Sequence, residues 1–339
     1  MNRYLVILIV LLISLLSGCV QEKTSDQAAQ TKKDFSTAQK KATEKNPIQN
    51  AAPVQFKVGE QEFKIVPVFG PILEYIKKAK KKKSKDPNYK ELYISTVVEP
   101  FRKEAFGGDK GLALKDKYSF AAPINIDRLY ESIRLMDENY EHITCLIKEG
   151  LEKSAKLLPG SKKTIYLFPF NPDQSILISQ MKGVASFSTP EQFIVLQIAP
   201  QKYDENMIPY TVAHEYHHTV YFEKIKNQEK DLIDYALVEG KADAFANLVI
   251  PGMEIPWTME LSDDEEQNIW NWASARRYTY TSNDLAEMRA GNRVIPQWSD
   301  YRIGRQIMRG FLKGNPDVSI SEWTYMDADE ILERSQFPQ

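Results

Sequence analysis

Thr211-Val212-Ala213-His214-Glu215-Tyr216-His217-His218-Thr219-Val220 is the stretch on which the reading of this chain turns. It contains the pattern His-Glu-x-x-His, set among apolar residues that fit a buried helix. Residues four apart on a helix sit one turn above each other, so His214 and His218 can aim their imidazoles at one metal ion. Glu215, beside the first histidine, can reach a water on that ion, which makes two ligands and a general base. The chain has four histidines, three of them within these five residues. Multiplying residue frequencies puts a chance occurrence of the pattern at roughly a few in a thousand. His217 lies on nearly the same face as His214, but the four-residue spacing and the place of the glutamate favour His218, leaving His217 as a flank residue.

A catalytic zinc takes three protein ligands and keeps a fourth position for water. Downstream, Ala236-Leu237-Val238-Glu239-Gly240-Lys241-Ala242-Asp243-Ala244-Phe245 offers the third. Glu239 and Asp243 are again four apart on a predicted helix, in an otherwise apolar, small-residue setting where unpaired charge is costly. Glu239 suits the metal. Asp243 suits a hydrogen bond from a ligating histidine, which would fix that ring's tautomer. The plain alternative is an amphipathic helix whose acids face water.

His-Glu-x-x-His followed about twenty residues on by Glu-x-x-x-Asp resembles the gluzincin metallopeptidases, the thermolysin-like clan. The resemblance implies His214, His218 and Glu239 as ligands to one zinc ion, Glu215 as the base, and Asp243 as the residue that orients a ligand. It also implies a zincin-like α+β fold. In that fold a small, mainly antiparallel sheet packs on the active-site helix, and a mostly helical C-terminal lobe follows. The chain is more closely similar to a bacterial family of predicted zinc-dependent proteases with HEYHH motifs. The similarity lies in the Phe193 to Pro200 strand, the HEYHH helix, the EGKAD helix and the tail Tyr301-Arg302-Ile303-Gly304. It covers roughly residues 125 to 337. That family's tail often reads tyrosine, two residues, glycine, tyrosine; here Arg305 stands in the last place.

The chemistry expected is peptide hydrolysis. Zinc polarises a water, Glu215 takes its proton and later hands it to the leaving amine, and a nearby donor stabilises the oxyanion. The donor candidates are Tyr301, Arg302 and Arg305, with Tyr301 preferred. The extended run Phe193 to Ala199 is either the sheet edge that aligns a substrate chain or a plain core strand, and Gly183 to Phe187 could contribute to the same edge.

The rest of the 339 residues sets the context. Arg3, the apolar run Leu5 to Leu16 and Leu16-Ser17-Gly18-Cys19 read as a secretion signal over residues 1–19. Small residues before a cysteine resemble the lipobox of bacterial lipoproteins, which implies lipidation of Cys19 and an extracytoplasmic position at the cell membrane. Residues 20–53, poor in large apolar side chains, read as a flexible tether. Residues 54–160 read as an N-terminal hairpin, centred on Gly59-Glu60, and a helical region; residues 161–339 read as the metallopeptidase core. With Cys19 lipidated, Cys145 is expected as a lone, buried thiol. In Lys77 to Lys85 seven of nine residues are lysine, which reads as a solvated helix end ahead of a patch for anionic polymer. His142, alone on its helix, reads as structural. Hydrophobic residues make up 42% of the chain and net charge is −2, so a core is affordable and no nucleic-acid partner is written into the charge. The partners expected are a peptide or protein substrate and the membrane, through the lipid anchor. The competing reading is a zinc-binding lipoprotein without catalysis, and a glutamate after the first histidine argues against it.

Overall fold

The computed structural model describes residues 50–81, 88–225, 231–335 and 337. The signal at 1–19 with Cys19, most of the tether, and the lysines after Lys81 lie outside them. Two strands open the described chain, β1 (Val54–Val58) and β2 (Gln61–Pro67). They form the expected hairpin, with Val58 opposite Gln61 and Gly59 at φ 57° in the tight turn. Helices α1 (Phe69–Lys81), α2 (Tyr89–Tyr93), α3 (Glu99–Phe106), α4 (Ile126–Glu138) and α5 (Tyr140–Leu157) follow. Helices α4 and α5 are separated at Asn139, whose backbone N–H donates to the Leu135 carbonyl at 3.0 Å. Then come β3 (Lys163–Pro169), α6 (Ser175–Gln180), β4 (Val184–Ser188) and β5 (Phe193–Ile198). The remainder is helical: α7 (Met207–Lys224), α8 (Leu232–Val249), α9 (Asp263–Ser274), α10 (Ser282–Ala290), α11 (Ser299–Gly314), α12 (Ile320–Tyr325) and α13 (Ala328–Ser335).

All five strands belong to one sheet, in the order β1-β2-β3-β5-β4. The α+β class is as expected, but the sheet is mixed rather than mainly antiparallel. β1/β2 and β4/β5 run antiparallel, whereas β2/β3 and β3/β5 run parallel. The reason is connectivity: a long helical excursion separates β2 from β3, and α6 with β4 separates β3 from β5. Such crossovers return the chain in the same direction. Residues 54–160 and 161–339 therefore contribute strands to the same sheet. β5 lies between β3 and β4 and is buried along its whole length, as a strand covered on both faces must be. The substrate-edge reading of Phe193 to Ala199 is corrected on this point, because the edge strand is β4.

The end of the tether is docked. The backbone N–H groups of Asn50 and Ala51 donate to Asp137 Oδ1 at 3.1 and 2.8 Å, and the Tyr140 hydroxyl donates to the Ala52 carbonyl at 2.6 Å. Order thus begins before Val54. Cys145 is half-buried on α5, more open than the buried thiol expected, and the chain's other cysteine, Cys19, lies outside the described residues. Within the described part of the lysine run, Lys80 pairs with Asp127 at 2.8 Å and Lys77 and Lys78 lie near Glu74, as a solvated helix end would. Among the described residues no helix is long and apolar enough to cross a membrane.

Helix α7 is buried from Met207 to Tyr221 and lies against β4, β5, α5 and α8. The Tyr216 hydroxyl donates to the Leu158 carbonyl at 2.7 Å and reaches Gln61 Oε1 at 2.9 Å, tying the helix to the hairpin side. Helix α8 is pressed between α7 and α11. Two glycines permit this. A Cβ on Gly304 would sit 1.9 Å from the Ala236 carbonyl oxygen, and one on Gly240 would sit 2.2 Å from the Gly304 carbonyl carbon. Both obstacles are backbone and cannot swing aside. Gly304→Ala should therefore push α11 off α8, destabilising the protein by about 1–3 kcal/mol in the manner of other overpacked sites. A denaturant titration checks this, and an unchanged midpoint would contradict the close approach.

Candidate metal centre

The centre is built on the contact between α7 and α8. His214 and His218 stand one turn apart on α7, 6% and 7% exposed. Glu239 reaches them from α8. Its Oε2 lies 3.2 Å from His214 Nε2 and 3.3 Å from His218 Nε2, and the two Nε2 atoms are 3.1 Å apart. Three donors held about 2.0–2.1 Å from a tetrahedral zinc would lie about 3.3–3.4 Å from one another. The observed triangle matches that edge length. The donor set of two imidazoles and one carboxylate is also one that zinc takes in catalytic sites.

The surroundings prepare these atoms for a cation. His214 Nδ1 is 3.1 Å from Asp243 Oδ1, which also accepts from the Tyr210 hydroxyl at 3.0 Å. A carboxylate can only accept, so Nδ1 carries a proton, which leaves Nε2 as the atom through which His214 would bind a metal. Lone pairs converging on one point repel unless a proton or a metal sits among them. Burial works against a charged His214, yet its hydrogen bonds to Asp243 and Glu239 outweigh this and push its pKa up to about 10. Burial likewise opposes a charged Glu239, and the two histidines and Arg289 hold its pKa well below the usual carboxylate range. Among the described residues, His218 Nδ1 and Asp243 Oδ2 are buried without a hydrogen-bond partner.

Glu215 points from the same helix toward strand β4, where the Ser186 hydroxyl donates to its Oε1 at 2.7 Å. A cleft opens at this point, lined by Ser186, Thr211, His214, Glu215, Trp257 and Tyr301 among others. The Tyr301 ring stands 5.9 Å from the His214 ring, centroid to centroid. Burial, the largest effect, drives the Tyr301 pKa well above its ordinary value, with Arg289 opposing. Its hydroxyl therefore stays a donor at neutral pH.

With this geometry, residues 143–333 match the family of predicted Zn-dependent proteases (DUF2268). The chain belongs to that family. A relative is a protein of Bacillus subtilis (strain 168) described as uncharacterized protein YjfC, 26% identical over 167 residues, which are 44% of this chain. The match spans 54% of that relative, so the chain covers about half of its length. No solved structure matches the chain. The matched segment begins within α5 and takes in β3 to β5 and both ligand-bearing helices, so the family signature and the site coincide.

Within this member of the family, His214, His218, Glu239, Glu215, Asp243 and Tyr301 come together in one place. His217 does not join them. It is turned to α12, with Nε2 3.2 Å from Thr324 Oγ1 and its ring stacked on Trp323. His142 is at the surface of α5, 3.3 Å from Glu205. Arg302 also faces elsewhere, donating to the Met259 and Glu260 carbonyls at 3.2 and 2.9 Å, and Arg305 is not among the residues lining the cleft. Sequence reasoning missed Tyr210, Trp257, Trp298 and Arg289; Ser186 lies in the Gly183 to Phe187 run read as a possible substrate edge, without a role of its own toward Glu215. Tyr210 had a faint signal, being one helical turn before His214 on the same face. The others come from distant segments and carried none.

The expected metal content is about one zinc per chain, abolished in His214→Ala and Glu239→Ala. Zinc needs a neutral His214, whereas the raised pKa keeps the metal-free ring protonated below about 10. Binding should therefore release about one proton at neutral pH, and affinity should fall as pH falls, by up to about tenfold per unit. Calorimetry in buffers of different ionisation enthalpy measures both. Binding without proton release would refute the assignment.

Proposed function

We propose that this chain is a zinc-dependent peptidase that cleaves peptide bonds by general-base attack of water, with Glu215 as the base. The observation that carries the reading is the convergence of two Nε2 atoms and one carboxylate oxygen beside a second, separately held carboxylate that faces the cleft. A purely metal-storing site has no use for that second carboxylate.

Bound zinc would supply Lewis acidity, lowering the pKa of a water toward about 7 and polarising the scissile carbonyl. Glu215, steadied by Ser186, accepts the water's proton and returns it to the departing amine. Tyr301, kept protonated by its surroundings and lining the same cleft, is the group proposed to donate to the oxyanion. Asp243, braced by Tyr210, keeps the His214 ring in one tautomer and orientation. β4 ends the sheet beside α7, so its outer side offers backbone groups to which an extended substrate can add as a further strand. Met181, Trp257 and Trp298 in the cleft lining give such a chain an apolar surface for one side chain.

The lipid-anchored, extracytoplasmic position belongs to the same proposal and rests on the Leu-Ser-Gly-Cys19 leader. Intact mass of the protein extracted from membranes should show a diacylglycerol adduct at residue 19 and a processed N-terminus. An unmodified chain that still begins at Met1 would remove the anchor.

For the chemistry, Glu215→Gln should keep zinc within about twofold and lose turnover by about 10²–10⁴-fold, the range of general-base catalysis. A peptide-library digest beside the wild type reads it, and undiminished cleavage would end the proposal.

A further inference from the structure

We infer that Arg289 is a positioning residue for the metal centre: by holding one oxygen of Glu239 it leaves the other oxygen alone to face the two histidines. The inference rests on His214, His218 and Glu239 being the metal ligands.

Arg289 is the penultimate residue of α10 and comes from a segment far from both ligand helices in sequence. Its Nη2 donates to Glu239 Oε1 at 3.0 Å and lies 3.3 Å from the Tyr235 hydroxyl, one turn earlier on α8. Its Nε donates to Asp300 Oδ2 at 2.5 Å. The guanidinium carbon stands 4.3 Å from the centroid of the Tyr301 ring and 5.9 Å from that of Trp298. One planar group thus touches the ligand, the donor candidate and a fully buried carboxylate.

The two oxygens of Glu239 consequently have different tasks. Oε2 looks into the triangle of donors, while Oε1 is engaged by a charge-assisted hydrogen bond. A carboxylate without that restraint can rotate and offer both oxygens to one ion, filling the position that water needs in an open catalytic site. The guanidinium fork prevents the rotation in a way a point charge cannot. The backbone is also committed to this arrangement. Trp298, the residue before α11, has φ 65° and ψ 25°, a left-handed conformation that a bulky side chain adopts only under constraint. Its N–H donates to the Arg289 carbonyl at 3.0 Å. That bond fixes the return from α10 to α11, so that Arg289 and Tyr301 meet on one wall of the cleft.

A merely structural role, neutralising buried Asp300, would leave metal geometry untouched, and that is where the test lies. Arg289→Met and Arg289→Lys are prepared with the wild-type chain, loaded with zinc or cobalt(II), and compared by chelator competition and by cobalt visible absorption. Arg289→Met should bind zinc about 10–100-fold more weakly, the range for outer partners of metal ligands. Its cobalt bands should also weaken, as a second oxygen of Glu239 raises the coordination number. Arg289→Lys keeps the charge beside Asp300, so it carries the test if Arg289→Met does not fold; it should shift the cobalt spectrum in the same direction. Wild-type zinc affinity and cobalt spectra in the folded variants would overturn the inference alone. A wild-type chain that takes up neither metal would overturn the metal-centre reading, and this inference with it.

Discussion

Everything in this protein is arranged around three electron-rich atoms held closer together than they would sit by choice. His214 Nε2, His218 Nε2 and Glu239 Oε2 form a triangle with edges of 3.1–3.3 Å between two buried helices. Lone pairs so placed are stable only around positive charge. The surrounding fold has to hold the triangle rigid, keep water from dissolving it, and leave one side open. Burial of α7 along nearly its whole length does the first two. The glycine-to-backbone contact between α8 and α11 sets the depth at which Glu239 approaches, because no side chain can intervene there.

The open side is bounded by two pieces of chain with opposite character. On one side is the edge strand β4, whose Ser186 hydroxyl holds Glu215. On the other is the turn from α10 to α11, which brings Arg289, Trp298 and Tyr301 together. Charge alternates along the second wall: Glu239, then Arg289, then Asp300. Burial, the main influence, lifts the Asp300 pKa to about 6 despite Arg289. A cation at the triangle would ease the excess of carboxylate on this wall, which is the electrostatic counterpart of the geometric fit.

The N-terminal half of the described chain serves mainly as a platform. Its hairpin completes the sheet through parallel pairing of β2 with β3, and Asn50 to Ala52 dock on α4 and α5. The mixed sheet follows from this long detour between Pro67 and Lys163, since a chain that leaves by a crossover and returns has no reason to reverse direction. β5, read as a possible substrate edge, is the strand most covered by neighbours.

What the sequence determined by itself was everything carried by short-range periodicity. Residues four apart on a helix must share a face, so His214 with His218, and Glu239 with Asp243, were legible as pairs. The hairpin at Gly59-Glu60 and the helical setting of Glu239 and Asp243 were legible for the same local reasons. What only the tertiary structure decided was everything that depends on segments meeting across the fold. The edge position of β4, the turning of His217 toward Thr324, the departure of Arg302 from the cleft, and the arrival of Ser186 and Arg289 at the two glutamates are of this kind. None of them leaves a periodic trace, because a hydrogen bond between residues fifty positions apart constrains two side chains and nothing between them.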